Sequence, residues 1–132
     1  MSLWRRKALE QLPECKQLID SASNPMALWI DLQFACEKAT SEGKEDLVGR
    51  FYSYAHSCWK SPSADVRTAV ACAFYEHLPT SPVLKRDMPR RFGRTVFLEL
   101  REIFLHHLSA DDAVIFEKEF FSKEQKFVKE VL

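Results

Sequence analysis

The side chains best suited to chemistry come in adjacent pairs. Glu76-His77 sets a carboxylate beside an imidazole, the two halves of a general acid–base pair. Neighbours on a helix point about 100° apart, so these two need a third group before they can act on one atom. His106-His107 offers two imidazoles, a common transition-metal ligand. Ligand pairs on a helix sit three or four residues apart, as in H-E-x-x-H, and adjacent histidines lack that spacing. Glu102, four residues before His106, would make a pair that still needs ligands from elsewhere. The expectation is therefore no metal, no cofactor and no catalytic residue, with His77 favouring the negative end of a helix dipole.

Charge gives a different candidate. Lys85, Arg86, Arg90, Arg91 and Arg94 crowd ten residues around Met88-Pro89, opposed only by Asp87. Such a stretch would steer and anchor an acidic protein partner. Phe92 could stack on a base, but the whole chain has 19 basic and 19 acidic residues, so the basic excess of a duplex-binding protein is missing and nucleic acid is not expected. The competing reading is a solvated loop whose arginines pair with Glu99 and Glu102. A mildly acidic edge (Asp31, Glu37, Glu42, Glu45 and Asp46) could receive the basic stretch of a second copy and give a homodimer.

A rival from another class is a small-ligand-binding or enzymatic bundle. Its pocket would draw on Trp29, Asp31, His56, Tyr75, Glu76 and His77, between a helix over about 45–60 and the next over 63–78. No G-x-S-x-G, P-loop, G-x-G-x-x-G or EF-hand loop supports it.

The elements that must position these residues are helical. Only 3 glycines occur in 132 residues, too few for hairpins and phosphate loops. A short opening helix is interrupted by Pro13. Asn24-Pro25 caps a helix that Gly43 closes. Leu47, Val48, Phe51, Tyr52, Ala55, Cys58 and Trp59 repeat at three and four. Ser63 caps the helix that stops at Leu78-Pro79, and Ser81-Pro82 caps a segment broken by Pro89. A helix spans about 94–108. Ser109 opens the next, and Ser122-Lys-Glu-Gln125 predicts a fresh start for a last helix holding Phe127, Val128 and Val131. Connections of two to four residues predict antiparallel neighbours in a single domain. Cys15, Cys36, Cys58 and Cys72 lack ligand spacing and read as reduced thiols. With no signal peptide and no apolar run of about 18 residues, the expected compartment is the cytoplasm and no membrane contact is expected.

Asp65-Val66-Arg67, followed by Val70, Ala71, Ala73 and Phe74, resembles the second helix of a HEAT-type repeat. That resemblance covers about 45–78 and implies a stack in which acidic and basic residues tie neighbouring repeats together. Phe74-Tyr-Glu-His-Leu78 is similar to uncharacterised families of short bacterial helical proteins. The sequence is thus read as all-α, six to eight short antiparallel helices in a HEAT-like stack or a helical bundle. It would act as a protein-protein interaction module rather than by turnover.

Overall fold

The computed structural model describes residues 1–131, with side chains through 127. The protein is all-α. The described residues hold eight α-helices and two 3-10 turns, without a strand among them. They fall into two compact units, Met1–Tyr75 and Glu76–Leu132. No helix among the described residues is long and apolar enough to cross a membrane.

In the first unit, α1 (Leu3–Gln11) ends ahead of Pro13, whose ring bars a continuing helix. A 3-10 turn (Pro13–Cys15) then leads into α2 (Lys16–Ser21). The Arg5 guanidinium donates to the carbonyls of Ile19, Asp20 and Ala22 at the end of α2, where carbonyls lack helical partners. The Asn24 side chain accepts from the Ala27 N–H at 2.8 Å and starts α3 (Pro25–Ser41). Gly43, at φ +70°, closes it. The Gly43 N–H reaches the Thr40 carbonyl and the Lys44 N–H the Ala39 carbonyl, a Schellman ending that needs the left-handed backbone glycine adopts freely. α4 (Glu45–Trp59) carries Glu45 and Asp46 in its first turn, and Ser63 caps α5 (Ala64–Ala73) through the Val66 N–H.

The helix α3 packs against α4 and α5, and α4 also packs against α1. Val66, Ala69, Val70 and Ala73 form the buried face of α5, small enough to let α3 approach closely. Trp29 is fully buried among rings, stacked on Tyr54 at 5.3 Å and tilted against Phe74 at 4.8 Å.

The Arg50 guanidinium clamps the Glu14 carboxylate with both terminal nitrogens and also meets Asp46, tying α4 to the first 3-10 turn. Hydrogen bonding to Arg50 holds the Glu14 carboxyl near 2, below its ordinary 4.5. A depressed acid stabilises the fold above its unfolded pKa and loses that contribution as pH falls through the folded one. The pair is solvent-exposed, so the contribution is below about 1 kcal/mol. Urea unfolding of Arg50→Gln and the parent protein should differ most at pH 6, and the gap should shrink between pH 4.5 and 2. A gap independent of pH would show that the Glu14 clamp contributes nothing.

In the second unit, Ser81 caps α6 (Pro82–Arg91), followed by α7 (Arg94–Leu105) and α8 (Ala110–Val131). The Ser109 side chain accepts from the Asp112 N–H at 3.1 Å and starts α8. Phe97 is the hub of this core. Its ring stacks on Phe120 at 4.1 Å and meets Phe104, Phe116 and Phe121 between 5.1 and 5.8 Å.

Four boundaries differ from the sequence expectation. The helix opened by Ser63 ends at Ala73 rather than Leu78. Leu78 precedes a proline and disfavours α geometry, and Tyr75–Thr80 tightens into a 3-10 turn. Pro89 does not break α6 at Met88. It sits in the last turn, where its ring and missing N–H cost one hydrogen bond, and the helix runs on to Arg91. The helix expected over 94–108 stops at Leu105. Ser122 starts nothing, because without Pro or Gly beside it a capping-box pattern cannot stop a helix already propagating, and α8 passes through unbroken. The side chains of Val128 and Val131 lie outside the described residues.

Candidate functional site

The helices α6 and α8 lie side by side and each turns the same periodic face to a shared cleft. Pro82, Lys85, Arg86 and Pro89 line one wall, and Phe116, Glu119, Phe120 and Lys123 the other. Both sets follow i, i+3, i+4, i+7, the spacing of a single helical face. The floor is apolar and the rim is mostly cationic. The cleft holds about 180 Å³, slightly more than the roughly 150 Å³ that suffices for a benzene ring. Lys85 faces Glu119 at 3.8 Å. Arg86 and Lys123 are exposed, and no ion pair among the described residues engages either.

The remaining members of the basic stretch are committed within the unit. Asp87 is nearly buried and accepts from Arg91 Nε at 2.6 Å, with Arg90 at 3.9 Å. The Arg90 guanidinium lies over the Phe127 ring at 5.4 Å and that of Arg94 over Phe121 at 4.8 Å, both cation–π contacts with α8. The five cations therefore do not form one open patch. Lys85 and Arg86 enter the cleft, while Arg90, Arg91 and Arg94 bind the unit's own groups.

The residues read as a ligand pocket separate. Trp29 is core, and Asp31 and His56 are exposed on the first unit. Glu76 and His77 belong to the second, where Glu76 Oε1 lies 2.9 Å from His107 Nε2 and 3.9 Å from His106 Nε2. The His77 ring stacks on His107 with centroids 5.1 Å apart. The two adjacent histidines both come near the Glu76 carboxylate, in the turn that follows α7. His106, the C-cap, keeps helical backbone angles (φ −53°, ψ −40°).

A cavity of about 160 Å³ in the first unit lies among α1 (Leu3, Trp4, Lys7), α4 (Tyr54, Cys58) and Val66 at the start of α5. The Tyr54 hydroxyl donates to the Trp4 carbonyl at 3.0 Å. Burial raises the Cys58 thiol, outweighing the neighbouring Tyr54, Trp29 and Lys7 groups that favour the thiolate. The thiol is therefore held protonated, a weak nucleophile, and covalent thiol chemistry is unsupported there.

Phe116 and Phe120 were legible as parts of the helix opened by Ser109, and Lys123 as part of a separate last helix, so their common face on α8 was not legible. In the unbroken helix their spacing makes one face, and the apposition to α6 depends on packing between segments thirty residues apart. Residues 5–110 match the model of a family described as Domain of unknown function (DUF7674), a stretch that includes α6 and reaches the first residue of α8. No curated protein and no solved structure matches the chain.

Proposed function

The chain belongs to the DUF7674 family, and from that premise we propose that it is a protein-interaction module whose α6–α8 cleft takes a short acidic segment carrying one apolar anchor side chain. The observation that carries this reading is the pairing of two uncommitted cations, Arg86 and Lys123, with an apolar floor of Phe116, Phe120 and Pro89. An aromatic or branched side chain fills the cleft, and its acidic flanks meet the two cations. Anchor-in-pocket contacts supply most of the affinity in interfaces of this kind, and rim charges set orientation and association rate.

The likeness of α4 and α5 to one HEAT-type unit supports a scaffold role for the first unit. Arg67 engages the Ser61 carbonyl of its own connection at 2.7 Å, which favours a plain helical stack over a ladder between repeats.

Selection of random displayed peptides against the whole chain tests the cleft. The recovered peptides should share an aromatic or aliphatic residue flanked by Asp or Glu. Arg86→Glu combined with Lys123→Glu should weaken them about tenfold or more, since each reversal turns a rim attraction of up to about 1 kcal/mol into repulsion. Reversal of Lys118, exposed on α8 but outside the cleft lining, should have little effect. Peptides without acidic flanks, or affinity indifferent to the cleft reversals, would overturn the reading.

A further inference from the structure

We infer that Glu76, His106 and His107 form a site for one divalent transition ion of the zinc class, a site independent of the α6–α8 cleft. The three side chains place a carboxylate oxygen and two imidazole nitrogens within 4.8 Å of one another. A tetrahedral zinc with bonds of about 2.0–2.1 Å sets its donors about 3.3 Å apart. The present separations from Glu76, 2.9 Å to His107 and 3.9 Å to His106, bracket that value. Side-chain rotation alone closes the shell, because both histidines are well exposed, at 40% and 63%, on a turn rather than locked in a core.

Donor chemistry selects the ion. Calcium and magnesium require six or more oxygen ligands, whereas two imidazoles with one carboxylate suit zinc, nickel or copper. A bound ion takes imidazole nitrogens and a carboxylate oxygen only in their unprotonated forms, so it competes with protons for the three groups. His77 acts as a positioning residue. Its ring lies flat on His107 at 23° between planes and restricts which way that imidazole can turn. Remaining coordination positions face solvent.

Occupancy would staple the 3-10 turn Tyr75–Thr80 to the turn between α7 and α8. An ion that binds only the folded chain raises its thermal midpoint. The experiment is a calorimetric titration of the whole chain with zinc chloride, with cobalt(II) as a spectroscopic probe of the ligands. One ion per chain is expected, at a Kd of about 1–10 µM. His106→Gln with His107→Gln should weaken binding about a hundredfold, and Glu76→Gln about tenfold. Both replacements keep polar side chains at accessible positions, and unchanged helical circular dichroism will verify the fold. His56→Gln, on the first unit, should leave binding untouched. Absence of binding at about 0.1 mM free zinc, or binding indifferent to the double variant, would overturn the site. So would a thiolate-to-cobalt charge-transfer band, which would put the ion on a cysteine. None of these outcomes bears on peptide binding at the cleft.

Discussion

Replacing Ala73 by Asp lowers the unfolding free energy of the first unit by about 3–5 kcal/mol, read as a fall in the urea midpoint. Ala73 is 3% exposed on the face of α5 that meets α3 and α4. An aspartate there must either bury an uncompensated charge or move the helix off its neighbours. Its short side chain cannot reach water past residues that pack against an alanine-sized space. Ala71, two residues earlier, is only half-buried, and Asp there should cost clearly less. Equal small losses at both positions would show that α5 is not held by its small-residue face. Marginal total stability makes the Ala73 change close to sufficient to unfold a domain of this size.

Phe97→Ala is the matching experiment in the second unit, with an expected cost of about 3–5 kcal/mol. The ring contacts four others, and its removal leaves an aromatic-sized void that α7 and α8 cannot both collapse into. Near-ultraviolet circular dichroism should lose intensity before the far-ultraviolet helical signal does. A functional consequence follows as well. Phe120, stacked on Phe97, forms part of the cleft floor, so peptide affinity should fall even though Arg86 and Lys123 are untouched. Phe97→Leu should recover part of both. An unchanged melt and unchanged peptide binding in Phe97→Ala would refute the hub role.

Much of the architecture was legible in local chemistry. Asn24-Pro25, Ser63, Ser81-Pro82 and Ser109 each mark a helix start that the structure caps through that side chain, and Gly43 marks an ending. These signals act within four residues and need no tertiary partner. The failures reach beyond that range. The early end of α5 depends on how a turn relaxes ahead of Pro79, and the passage through Ser122 depends on a helix already propagating. Arg5 capping α2 joins residues that only folding brings together.

At the candidate sites the same division holds. The charge of residues 85–94 is visible in the sequence, but its distribution is not. Which cations remain uncommitted is decided by α8, through Phe121, Phe127 and Glu119, and for Arg91 by Asp87 on α6 itself. The histidine pair read as divergent only on the premise that its helix continues to Leu108. The helix ends at Leu105, and what changes the reading of the pair is Glu76, a carboxylate thirty residues earlier that only folding brings beside both rings.

The laying of Arg90 and Arg94 on phenyl faces, with Arg91 against Asp87, has a consequence for how association should respond to dissolved salt. Five mobile surface cations would carry a diffuse cloud of anions, and a partner displacing it would gain entropy that added electrolyte quickly erodes. Here Arg91, with a side chain 12% exposed, brings its counter-charge from within the chain in Asp87, while Arg90 and Arg94 stay exposed but are held over phenyl faces. At the cleft itself only Arg86 and Lys123 lack an ion-pair partner among the described residues, so binding there should have a shallower ionic-strength dependence than five converging cations would give.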